Sequence, residues 1–176
     1  MLLDRFGSIA NIMNASADTL NAALPDEPDV AKALVACQKL ARLGALEQLV
    51  SAPVDLGDPR LRNYLIAELQ NPSEERLHAI YLDRDHRYIR DERVAQGSRD
   101  NLVLRLRYLV HRTLDLDAAG LIVAHNHPSG SAEPSAADHD ATDRLRRLTA
   151  QLDIRLVDHC IVARGRVFSM ALGKLI

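Results

Sequence analysis

Tryptophan is absent from this chain, and aromatic residues make up only 3% of it. A protein that holds single-stranded nucleic acid by stacking bases on aromatic rings needs more of them. Positive charge is not in excess either. The 22 lysines and arginines face 24 aspartates and glutamates, a formal net charge of −2, so the sequence carries no overall electrostatic footprint for DNA or RNA. The two cysteines, Cys37 and Cys160, lie far apart with no Cys-x-x-Cys unit. They read as buried thiols of a reducing compartment, neither disulfide-bonded nor part of a thiolate metal site. No apolar run approaches the roughly 20 residues that cross a bilayer, and no signal-peptide pattern is seen. A cytoplasmic protein is expected, with no membrane partner. Internal repeats and low-complexity tracts are missing as well.

What the chain does have is concentrated in Leu121-Ile-Val-Ala-His125-Asn-His127-Pro-Ser-Gly-Ser-Ala-Glu-Pro-Ser135-Ala-Ala-Asp138. Leu121, Ile122 and Val123 read as a buried strand, and residues two apart on a strand share a face. His125 and His127 can therefore enter one site as that strand ends. The Pro128–Pro134 stretch turns the chain, and a helical pattern begins after Ser135, which places Asp138 in a first helical turn. Two imidazole nitrogens and one carboxylate oxygen make a three-ligand zinc site with the fourth tetrahedral position open, the arrangement of a catalytic zinc. Other first-row divalent ions accept the same donors. A plainer reading stands beside this one for two residues. Ser135 and Asp138 have nearly the spacing of a capping box, and the helix dipole favours an acid in the first turn.

The rest of the sequence divides into helical and alternating parts. Leu2, Leu3, Phe6, Ile9 and Ile12 have helical spacing interrupted by Gly7, and Ser16 caps a short helix through Leu24. Pro25 to Pro28 breaks the chain, and Val30, Leu34, Cys37, Leu40 and Leu43 form a further stripe. Residues 1–50 are expected as a small helical module and 51–72 as a linker and connecting helix that ends at Asn71-Pro72. Residues 73–176 are expected as the metal-binding domain. In it, strands are predicted near 77–83 and 87–96, a helix near 101–115 and a strand at 119–125. A helix from Ala136 to about Gln151 follows, then strands near 153–163 and 166–170. This alternation predicts a mixed α/β (α+β) fold with a sheet flanked by helices.

The spacing His-x-His-x(7)-Ser-x(2)-Asp resembles the signature of the JAB/MPN metalloprotease family, also called JAMM. His125-Asn-His-Pro-Ser-Gly130, Leu156-Val-Asp-His159 and Arg5-Phe-Gly-Ser8 are similar to its RadC-like branch. The resemblance covers most of the chain and is weakest between Pro25 and Asp58. It implies a curved JAB/MPN sheet and one zinc ion per chain held by His125, His127 and Asp138. It also implies hydrolysis of a peptide or isopeptide bond in a protein or peptide substrate that the sequence does not identify. The general base of the family is a glutamate just before an upstream strand, which falls at Glu75, with Glu74 as the adjacent alternative. Ser135 would donate a hydrogen bond to the oxyanion.

Two further readings stay open: a non-catalytic metal-binding interaction module, and a DNA-associated RadC-like protein. In the RadC-like branch the N-terminal helices form a helix-hairpin-helix with a glycine turn that approaches phosphates. Here Leu24-Pro-Asp-Glu-Pro-Asp-Val30 puts prolines and acids in that place. A hairpin with surplus negative charge repels phosphate, so a packing or partner-docking module is expected there. Leu106-Arg107-Tyr108 also departs from the Pro-Arg-Glu of relatives. A zinc nucleoside deaminase is excluded, since His-x-Glu and Pro-Cys-x-x-Cys are both missing.

Overall fold

A computed structural model describes residues 2–69, 74–96 and 101–176. Short helices α1 (Leu2–Phe6), α2 (Ile9–Asn14) and α3 (Ala17–Ala23) precede the long α4 (Pro28–Val50) and α5 (Pro59–Leu69). Gly7, at φ 74°, separates α1 from α2, and the side chains of Ser8 and Ser16 cap α2 and α3. Ile12, Leu20 and Ala31 form a small core of their own among these helices. Helix α4 runs through Gly44 to Val50, within the helical module expected over residues 1–50. A glycine inside a helix costs about 1 kcal/mol, and packing of Ala45, Leu46 and Leu49 against the main core offsets it. The predicted end of α5 at Asn71-Pro72 lies outside the described residues. Cys37 is exposed, whereas Cys160 is buried. The expectation of two buried thiols is therefore corrected for Cys37, which lies on an outward-facing turn of α4.

Strands β1 (Arg76–Leu82) and β2 (Tyr88–Gln96) form a hairpin, and α6 (Asn101–Asp115) leads into β3 (Gly120–Asn126). Helix α7 (Ala136–Ala150) carries the chain to β4 (Arg155–Ala163), followed by β5 (Arg166–Ser169) and β6 (Lys174–Leu175), a short strand that sequence patterning did not reveal. The six described strands form one sheet in the order β2-β1-β3-β4-β5-β6. Strand β3 is antiparallel to β1 and parallel to β4, with Leu77 opposite His125 and Val123 opposite His159. This is the mixed α/β architecture expected from the sequence, with a helical region preceding a helix-flanked sheet.

Alternation along the strands sends side chains to two cores. Ile80, Leu82, Ile122 and Ala124 pack under α5 with Leu61, Tyr64, Leu65 and Leu69. Ala79, Tyr81, Leu121 and Val123 pack on the other face with Leu109 of α6 and Leu145 of α7. The segment expected as linker and connecting helix contributes to the first core. Val54 is buried there, and its N–H donates to the His86 carbonyl at 2.8 Å. Among the described residues no helix is long and apolar enough to cross a membrane.

Leu65 is fully buried between α5 and the sheet. Leu65→Ala is expected to lower unfolding stability by about 2–5 kcal/mol, read as a shift in the urea midpoint at unchanged slope.

Candidate metal centre

Strand β3 is buried along its whole length, and its last residues carry the centre. His125 shares a face with Leu121 and Val123, so it points toward α7, while Asn126 points to the α5 side. The His127 N–H continues the pairing past the strand end by donating to the Val162 carbonyl at 3.0 Å. The chain then turns, and the Gly130 N–H donates to the His127 carbonyl at 3.0 Å. Glycine is favoured at 130 because φ is +87°, and a Cβ there would also push the end of the Arg164 side chain aside. Ser135 caps α7, which brings Asp138 back over the two histidines.

His125, His127 and Asp138 each offer a donor atom within 4.8 Å of the others. Nε2 of His125 lies 2.9 Å from Nε2 of His127. Asp138 Oδ1 is 3.2 Å from His125 Nε2, and Asp138 Oδ2 is 3.3 Å from His127 Nε2. A tetrahedral ion with bonds near 2.0 Å places its ligand atoms about 3.3 Å apart, so the three donors are spaced to hold one.

The hydrogen bonds behind the histidines fix which nitrogen is free. The Thr142 hydroxyl donates to the Asp138 carbonyl at 2.6 Å, so its oxygen accepts from His159 Nδ1–H at 2.6 Å. His159 Nε2 then accepts from His125 Nδ1–H at 2.8 Å. His127 Nδ1–H donates to the Ser131 carbonyl at 2.9 Å. Both histidines have thus committed their Nδ1 protons and turn Nε2 lone pairs toward each other. Two lone pairs at that separation need a cation between them, either a proton or a metal. In metal sites an acceptor behind each ligating imidazole fixes its tautomer in this way, here His159 Nε2 and the Ser131 carbonyl. Asp138 raises the pKa of His127, with the Ser131 carbonyl and the Glu75 charge adding to it against the cost of burial. Burial alone would push Asp138 up, but the His125 and His127 imidazoles set against it and the Ser135 hydroxyl hold its carboxyl well below the usual range. Burial keeps His159 far below the ordinary histidine value, and so neutral, as its accepting Nε2 requires.

The two candidate bases part at this point. The Asn126 side chain accepts from the Arg76 N–H at 2.7 Å and donates to the Glu74 carbonyl at 2.8 Å, so one amide brackets Glu75. Glu75 is half-buried and its charge acts on His127, whereas Glu74 is exposed and its charge acts on Arg76. Ser135 is engaged as a cap: its Oγ donates to Asp138 Oδ2 at 2.6 Å and accepts from the Asp138 N–H at 3.2 Å. The sequence marks His159 only through its resemblance to the RadC-like branch and gives no sign of the parts played by Thr142 and Asn126. Only the parity of Asn126, opposite to that of the flanking histidines, hinted that it serves the other side of the sheet.

Because His159 is buried and neutral, the unfolded chain binds one more proton there below the ordinary histidine pKa of about 6.5, and stability falls as pH drops through that value. Replacing it removes a penalty that approaches about 1.4 kcal/mol per pH unit. In metal-free protein, the stability deficit of His159→Gln relative to wild type is expected to narrow from pH 7.5 to pH 5.5, read from urea midpoints.

Residues 58–175 match the family model described as the RadC-like JAB domain. The chain is 35% identical to a UPF0758 protein of Methylibium petroleiphilum over 170 residues, which are 97% of this chain and 77% of that one. Against a UPF0758 protein of Paraburkholderia xenovorans the identity is 35%, covering 97% of this chain and 67% of the relative. Against one of Burkholderia mallei it is 37%, covering 97% and 61%. The chain thus spans between 61% and 77% of the length of these relatives. The family match opens just ahead of α5, the helix that seals one face of the sheet. The chain belongs to the RadC-like JAB domain family.

Proposed function

We propose that this protein is a zinc-dependent hydrolase of the JAMM type that cleaves a peptide or isopeptide bond. The observation that carries the reading is the set of three donors, His125 Nε2, His127 Nε2 and an Asp138 oxygen, spaced for one tetrahedral ion beside the half-buried Glu75. Zinc held there supplies Lewis acidity and brings the pKa of a water toward neutrality.

The chain's own residues do the remaining work. The Glu75 carboxylate takes the proton of the attacking water and returns it to the leaving nitrogen. Asn126 fixes the backbone on both sides of Glu75 and so sets where that carboxylate can reach. The chain Thr142–His159–His125 holds one imidazole in its ligating tautomer, and the Ser131 carbonyl holds the other. Ser135 orients Asp138, and on rotating away from it can donate to the oxyanion of the tetrahedral intermediate. The cap seen for Ser135 also suits a second reading, a metal-binding interaction module without turnover.

Glu75→Gln separates the two. With a mixed peptide library and release of new amino groups as the readout, wild type is expected to hydrolyse and the variant to lose about 10²–10⁴-fold in rate, with metal content unchanged. Wild type that holds its metal but releases nothing supports the interaction module instead.

A further inference from the structure

On the α5 side of the sheet, away from the His125 face, the N-terminal helices and the strands enclose an open cavity of about 420 Å³. That volume is in the range of small-molecule sites. Lys39 and Arg42, one turn apart on α4, line it from one side, and Arg76 of β1 and Arg93 of β2 line it from the other. The strand register explains the second pair. Arg93 lies opposite His78, and Arg76 precedes His78 by two, so both guanidinium groups leave the same face.

The four cations face a single carboxylate, Glu68, whose side chain is only 2% exposed. Both of its oxygens are taken: one meets Arg42 at 2.9 Å and the other meets Arg93 at 3.4 Å. Glu74, outside the lining, also acts on Arg76, which leaves a surplus of two positive charges. Arg76 Nε is buried without a hydrogen-bond partner among the described residues. Burial, and then the charge of Arg93, push the Arg76 pKa down. That Nε–H is a donor which an anion entering the cavity would satisfy. The wall opposite is fixed, because Gln38 Nε2 donates to the carbonyls of Ile12 and Ala15 at 3.1 and 3.0 Å.

We infer that this cavity is a binding site for a small polyphosphate anion, a ligand with at least two phosphate groups clamped between Arg76–Arg93 and Lys39–Arg42. Guanidinium forks match phosphate oxygens in pairs. Each phosphate group carries about −1.5 to −2, and the cations stand in two pairs, one for each group. The site is independent of the hydrolase reading, since none of its residues belongs to the metal centre. Sequence order does not show the site, because Lys39 and Arg42 of α4 meet Arg76 and Arg93 only across the cavity.

The test is calorimetric titration of the full chain with inorganic pyrophosphate, without added divalent metal, together with its thermal unfolding. Wild type is expected to bind and to gain thermal stability. Arg76→Gln and Lys39→Gln should each weaken binding by about tenfold or more and lose the thermal shift. Lys39 is exposed, so its loss of binding cannot come from misfolding. His127→Ala should bind pyrophosphate as wild type does. Absence of binding in wild type, equal binding in both charge variants, or loss in His127→Ala would each overturn the inference. Binding of citrate as tightly as pyrophosphate would overturn the assignment to phosphate.

Discussion

Strand β3 is enclosed on both faces and both edges, and its pairing with β1 and β4 sets where every group of the metal centre lies. Leu77 opposite His125 places Glu75 near His127, and Val123 opposite His159 places that imidazole behind His125. A slip of one residue would send Asn126 toward α7 and His125 under α5. The register is held by apolar burial on two sides at once, since Ile122 and Ala124 fill one core while Leu121 and Val123 fill the other. Precision at the centre is therefore inherited from the least polar part of the molecule.

Around that strand, the polar contacts form a closed proton account. Each Nδ1–H has an acceptor, His159 is kept neutral by burial, and Asp138 is kept charged by its donors. What remains is a pair of imidazole lone pairs and a carboxylate that only a cation reconciles. Asp138 raises the pKa of His127, so a proton and a metal ion compete for that place. The loop geometry around Gly130 and the Ser135 cap complete the arrangement without adding a further charge.

Much of this architecture was readable from residue order. Alternation and apolar runs located β1 to β5 and α5 to α7, because each element is long enough for its period to register. Strand β6 escaped because two residues have no period. Helix α4 fills the helical module expected over residues 1–50 despite Gly44, because Ala45, Leu46 and Leu49 pack against the main core. At the centre, the i, i+2 spacing of His125 and His127 implied a shared face, and the structure brings Asp138 to them. The roles of Thr142 and Asn126 depend on contacts 17 and 50 residues away in sequence, which no local pattern encodes. The cationic cavity was hidden for the same reason, since its arginines come from two strands and a helix.

The central claim is that the His125–His127–Asp138 cluster is a zinc site, and elemental analysis of untagged protein tests it most directly. Wild type and Asp138→Ala would be loaded with zinc, freed of excess and assayed for bound metal. The account predicts close to one zinc per wild-type chain and almost none in the variant. Wild type that retains no zinc, or a variant that retains as much, would contradict it.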